Sequence, residues 1–290
     1  MSTRALRTDR FLAGSIKTLL IVWVLGNLAI IAWVILTSFK TTREIFDSPF
    51  GLPAAPRWDN FVTAWTASGF AGAAVNTVLI VAVASVLIIV FSAPAAYVLA
   101  RTPRASAIPL TTFFALGMGI PFQAVLVPLF LMSNALSDFM VDWVTGFWDD
   151  RISLVIVYVV LSLPFSVFVL TGYFRTLPSE LEEAAAIDGA SAARTFAQIM
   201  FPLARPGIVT VFVLNVVSLW NETLLVLVLV PDPLQRTLPA ALLNFYNSMQ
   251  YTSNWGGLFA GIVIVVLPMI ILYLWVGRRV IDGMTQGIGK

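Results

Sequence analysis

Apolar residues run along this chain in long unbroken blocks, unlike the alternation of half-buried strands or the narrow stripes of soluble helices. Six such blocks stand out, at residues 18–38, 75–100, 108–132, 152–174, 208–230 and 258–276. Each is close to the roughly 20 apolar residues that cross a hydrocarbon core as a helix. The pattern predicts an all-α membrane protein with six transmembrane helices. The first block exceeds the apolar core of a signal peptide, about 7–15 residues, and no small-residue cleavage site precedes it, so it is expected to be retained.

Between the fourth and fifth blocks the pattern breaks. From Glu182 to Gly207 the chain reads EEAAAIDGASAARTFAQIMFPLARPG, mixing acids, arginines, alanines and turn residues. Ser179 is expected to cap a short helix over 181–188, with Glu182 three residues later completing a capping box. Gly189 is expected to end that helix in the left-handed conformation. Ser191 then caps a second helix ending near Phe201, before Pro202. Along it, Ala192, Phe196, Ile199 and Met200 form an apolar stripe at three-to-four spacing. This helix–turn–helix is too small to bury its own stripe. It is either an elbow resting on the ends of its own transmembrane helices or a knob that docks in a groove of a soluble partner.

Composition fixes the solvent. Of 290 residues 59% are hydrophobic and 11% charged, with a mean hydropathy of +0.92, whereas soluble domains carry about 25% charged residues. So much apolar surface needs lipid around it. The chain has no cysteine and no histidine, which removes disulfides, Cys/His zinc sites and Ser/His or Cys/His catalysis; no catalytic residue or metal site is expected. A net charge of +2 with scattered Lys and Arg gives no nucleic-acid surface.

Charge also orients the chain. With the N-terminus inside, twelve of the 17 Lys and Arg fall in cytoplasmic segments, and only Lys40, Arg43, Arg57, Arg151 and Arg236 lie outside. Both termini are therefore expected in the cytoplasm, together with the polar stretch.

That stretch resembles a known signature. Glu183-Ala184-Ala185, Asp188-Gly189-Ala190, Phe196, Ile199, Pro202 and Pro206 match, position by position, the EAA loop of ATP-binding-cassette (ABC) importer permeases. Asn76-Thr77 through Arg101, Leu163-Pro164-Phe165-Ser166 through Arg175, Trp220-Asn221-Glu222 and the tail from Arg279 to Lys290 are similar to the carbohydrate, maltose-type branch. The likeness runs from about Phe61 to the C-terminus; the acidic segment Ser137–Arg151 departs from it. The resemblance implies a type I importer permease fold: a single transmembrane domain over residues 1–290, with core 61–282 and coupling loop 178–206. It implies that Glu183, Ala184, Ala185, Asp188, Gly189, Ala190, Phe196 and Pro202 couple the chain to cytoplasmic ATPases. It further implies a second, non-identical permease, two ATPase subunits that bind ATP and Mg, an external sugar-binding protein, and a prokaryotic cytoplasmic membrane. The chain itself has no G-x-x-x-x-G-K-[ST] phosphate loop and needs no cofactor of its own.

Polar residues within the apolar blocks are the remaining candidates. Glu222 is the only acid well inside a block, where a carboxylate costs about 2.5–3.5 kcal/mol to insert, so it should face the bundle interior with a partner. It either lines a translocation path or packs helices; Asn221, Asn215, Asn76 and Gln123 carry the same two readings. In the outer loop 231–255, Asn244, Tyr246, Asn247 and Gln250 suit contact with a sugar-binding protein, or are simply solvated. An ion-coupled secondary transporter is the rival outside the family, but one intramembrane acid and no histidine leave little for an ion relay. An intramembrane enzyme lacks visible machinery, and an ABC permease for a non-sugar solute is the alternative within the family.

Overall fold

The computed structural model describes the backbone of residues 3–286 except 68, and the side chains of residues 14–275 except 67, 68, 104 and 249–252. All regular elements among the described residues are helical: α1 (Thr3–Ser38), α2 (Thr42–Asp47), α3 (Asp59–Ala67), α4 (Phe70–Arg101), α5 (Arg104–Met118), α6 (Leu126–Phe139), α7 (Asp150–Thr176), α8 (Glu180–Ile187), α9 (Ala192–Thr195), α10 (Phe201–Leu203), α11 (Arg205–Asn221), α12 (Leu224–Leu229), α13 (Leu238–Thr252) and α14 (Trp255–Gln286). The chain divides into two compact units, residues 1–68 with 242–267 and residues 69–241 with 268–290.

In the first unit the polar turn after α1 is tied down by its own backbone. Thr41 and Glu44 form a capping box at the start of α2. Buried Lys40 donates from Nζ to the carbonyls of Ser48 and Pro49 at 3.0 and 3.1 Å, and Asn60 donates to those of Ser38 and Lys40. The Lys40 ammonium and the Asn60 amide thus find partners, as burial requires, whereas the buried Thr37 Oγ1 at the end of α1 has none.

The second unit is organised around α4 and α7, which make its most extensive contact. Small residues on α4, Ala84, Ala93 and Ala96, are fully buried; small side chains let helices approach closely in a membrane, where packing replaces the hydrophobic drive. One core cluster joins Ile80, Ala84 and Ile88 to Leu154, Tyr158, Leu219 and Leu225. The other joins Ala93, Ala96 and Leu99 to Leu170, Phe174, Met200, Ala204 and Val211.

Five helices among the described residues are long and apolar enough to cross a bilayer: Gly14–Ser38, Phe70–Arg101, Phe122–Thr145, Asp150–Thr176 and Trp255–Trp275. A sixth crossing depends on the pair Ala192–Leu203 and Arg205–Asn221, which is bent by 75°. Two expected spans differ from the sequence reading. The block 108–132 is not one helix: α5 stops at Met118, Pro121 follows Gly119-Ile120, and a 3₁₀ turn Phe122–Val125 starts a new helix that continues as a π turn to Thr145. Proline cannot donate the backbone bond a continuous helix needs there. Asp138 and Asp142, in the acidic segment beyond the end of that block, therefore lie on helix. The block 208–230 is likewise interrupted, since α11 ends at Asn221 and Glu222 is extended (φ −72, ψ 128) before α12 begins.

Candidate functional site

The coupling-loop residues fold as a compact corner. α7 ends at Thr176, and extended Leu177 (φ −80, ψ 138) leads into α8. The expected capping box does not form: Ser179 is helical and makes no side-chain cap. Glu182 turns instead to Arg101 at the end of α4, with Oε1 2.7 Å from Nε, because a charged partner outbids a single backbone N–H. The other end of α8 follows expectation. Gly189 has φ +76, its N–H bonds Ala186 O at 3.0 Å, and the Ala190 N–H bonds Ala185 O at 2.9 Å, a Schellman closure. Ser191 caps the second helix by accepting from the Arg194 N–H.

That second helix does not stop before Pro202. It runs on through α10 to Leu203, with a wider π turn over Phe196–Met200 that relieves the clash a proline ring makes with the carbonyl four residues back. Of the stripe, Met200 is buried and Phe196 and Ile199 half-buried, while Ala192 is exposed. The Phe196 ring lies 5.1 Å from Tyr97 and 6.3 Å from Phe174. Ala185 is buried, Ala190 and Pro202 are half-buried, and Glu183, Ala184, Asp188 and Gly189 are exposed. The outward face thus carries acids, small residues and two large apolar groups, Leu181 at 38% and Ile187 at 86% exposed. Sequence reasoning missed Ile187, although an isoleucine alone between alanines and the Asp-Gly corner was a visible signal.

The polar candidates separate into two kinds. Asn76 and Asn215 are buried and hydrogen-bonded to other helices and loops of their unit. Asn76 donates to the carbonyl of Leu234 at 3.0 Å and accepts from Arg151 Nη1 at 2.9 Å. Asn215 donates to Ser166 Oγ and Val211 O, both at 2.9 Å. Glu222 and Asn221, by contrast, sit at the interruption between α11 and α12. Glu222 Oε2 accepts from the Tyr158 hydroxyl at 3.0 Å and Oε1 from the Leu225 N–H at 2.9 Å; half-buried, it is the acceptor on which the break turns. Asn221 is exposed, and its side-chain amide donates to Val217 O of its own helix. Gln123 is exposed in the 3₁₀ turn at the other interruption, and neighbouring Phe122 packs on the core cluster that holds Leu219 and Leu225. Irregular backbone at membrane depth is tolerated only inside protein or along a watered cavity.

At the start of α7, Asp149 caps the helix through the Arg151 N–H. The Arg151 guanidinium holds the Asp149 carboxyl below its ordinary range, outweighing the partial burial that pushes it up. The segment expected as an outer loop at 231–255 is mostly α13, on which Tyr246 and Asn247 are exposed and Asn244 is half-buried; the Gln250 side chain lies outside the described residues, as does the tail from Gly287.

Residues 89–286 match the protein family described as "Binding-protein-dependent transport system inner membrane component". This chain belongs to that family. Among relatives of this inner membrane component, the diacetylchitobiose uptake system permease protein NgcG of Streptomyces coelicolor is 35% identical over 99% of this chain and 92% of its own length. The probable starch degradation products transport system permease protein AmyC of Thermoanaerobacterium thermosulfurigenes is 32% identical over 89% of each. A crystal structure of a bacterial ABC transporter involved in the import of the acidic polysaccharide alginate contains a chain that superposes with a TM-score of 0.77 at 23% identity, covering 94% of this chain and 97% of that one. The permease fold of this inner membrane component is thereby established.

Proposed function

We propose that this chain is the permease subunit of an ABC importer that carries a di- or oligosaccharide, or a related polyol, across a prokaryotic cytoplasmic membrane. The observation that carries this reading is the exposed α8 corner, with Glu183, Ala184, Ile187, Asp188 and Gly189 turned outward on a member of a binding-protein-dependent transport family. A small acidic face from which the Ile187 side chain projects suits insertion into a soluble partner. The sugar class is supported by the relatives that take up diacetylchitobiose and starch degradation products.

In this reading two ATPase subunits bind ATP and Mg and grip α8, a second and different permease completes the bundle, and an extracytoplasmic binding protein delivers the sugar to the segment whose sequence holds Asn244, Tyr246, Asn247 and Gln250. The chain crosses six times with both termini in the cytoplasm, as one permease domain. Glu222, Asn221 and Gln123, at the two interruptions, line the path. In this reading Asn76 and Asn215 serve packing instead, a role supported by their amides' hydrogen bonds to Leu234, Arg151, Ser166 and Val211.

Purification from the native membrane in mild detergent, with mass spectrometry of the co-purifying chains, tests this. An ATPase, a second permease and a binding protein are expected, and the binding protein should bind labelled oligosaccharide. Recovery of this chain alone, under conditions that keep other membrane complexes intact, would overturn the proposal; a binding protein that takes only amino acids or ions would overturn the sugar class.

A further inference from the structure

Three acids crowd the first turn of α8, Glu180, Glu182 and Glu183, where the helix dipole favours them all. They do not serve alike. Glu180 and Glu183 are exposed, while Glu182 turns inward to Arg101, the two side chains being only 20% and 21% exposed. Arg101 is the last residue of α4, and its Nη2 also donates to Leu177 O at 3.1 Å. One guanidinium therefore binds the extended link after α7 and the first turn of α8 together. Four residues back on α4, Tyr97 makes the aromatic layer beneath, with its ring 5.1 Å from Phe196 and 5.7 Å from Phe174.

Without these contacts α8 would hang on α7 by a short extended link and could pivot there. With them it is also fastened to α4, the helix most extensively packed on α7. We infer that Arg101 and Glu182 are positioning residues that make the coupling corner move as one piece with α4, so that displacement of α8 reaches the membrane core and is not absorbed at Leu177. This rests on the reading of α8 as the ATPase contact. A planar guanidinium that donates from Nε to the Glu182 carboxylate and from Nη2 to the Leu177 carbonyl suits the task because it fixes direction as well as distance.

The test uses the full complex reconstituted in lipid, and reads ATP hydrolysed per labelled sugar imported. Arg101→Glu should raise that ratio at least ~fivefold, the lower end of typical coupling between sites, while the subunits still co-purify. Arg101→Glu combined with Glu182→Arg should bring it back to within about twofold of wild type, the sign of a direct pair in a double-mutant cycle. A clamp that only stabilised the fold would lower the unfolding temperature and leave the ratio unchanged. Where the reversal does not assemble, Glu182→Gln removes the charge with almost no change of shape. A wild-type ratio for Arg101→Glu or Glu182→Gln in assembled complex overturns the inference. Absence of sugar-stimulated ATP hydrolysis in the wild-type complex would instead overturn the importer reading beneath it.

Discussion

The ring of Tyr173 occupies the space into which a side chain at residue 207 would project: a β-carbon on Gly207 would stand 2.5 Å from Tyr173 Cγ. The contact brings the start of α11 against the end of α7 beside the coupling loop. Gly207→Ala is therefore expected to destabilise the protein by about 1–3 kcal/mol, the usual cost of overpacking, read as a lower unfolding temperature in detergent. Combined with Tyr173→Ala, it should cost far less than the two single changes added together. An unaltered unfolding temperature for Gly207→Ala would refute this packing.

Tyr158 and Glu222 make a second checkable pair. Tyr158→Phe strips a buried donor from a carboxylate and should cost about 1.5–3 kcal/mol, the range for hydrogen bonds to charged groups. The same change in a Glu222→Gln background should cost less, since the acceptor is then neutral. Equal penalties in both backgrounds, measured by denaturant titration, would mean that the charge at 222 does not matter to the pair.

Ile187 is the test of the docking face. Burying an isoleucine side chain contributes about 1.5–3 kcal/mol, so Ile187→Ala should weaken binding to the partner ATPase by about tenfold or more, with membrane insertion unaffected. Titration of purified ATPase onto the permease in lipid discs measures it. Gly189→Val should also weaken binding, through the backbone alone. Undiminished sugar uptake by the valine variant would remove the coupling assignment from this corner.

Acid should act on the start of α7 in a defined direction. Asp149 is held below its ordinary value by Arg151, so its contribution to stability is complete above the unfolded value near ~4 and disappears as pH falls through the lower folded value. The gap in unfolding temperature between wild type and Asp149→Asn should therefore be constant from neutral pH down to about 5 and close below it. A gap that widened toward acid would reverse the assignment.

Much of this was legible in the sequence, and what was not has a common cause. Hydropathy found the apolar blocks and their helical character, and the residues between Glu182 and Gly207 gave the corner, its glycine and its Ser191 cap. Hydropathy sees content and not continuity, so it ran one helix through Gly119-Ile120-Pro121 and another through Glu222. The proline and the lone carboxylate were the local signals of each break. The failed capping box is different in kind. Ser179 and Glu182 had the right spacing, but Arg101, 81 residues away, competed for the carboxylate. Read from sequence, Arg101 counted toward orientation and toward the family resemblance, but nothing paired it with Glu182. For Asn76 and Asn215 the sequence left two readings open, because nothing local discloses that Arg151 and Ser166 hydrogen-bond to them across the bundle.

The corner at Gly189 has a further consequence. A β-carbon there would meet no atom within 4 Å, yet the residue stands at φ +76. What the position demands is handedness, not room. A D-alanine introduced by chemical ligation would fit this dihedral without strain and would give up the freedom that glycine keeps in the unfolded chain. At the tip of the loop the mirror-image residue should make a firmer corner than the natural one, because its preferred backbone is the one this turn already adopts.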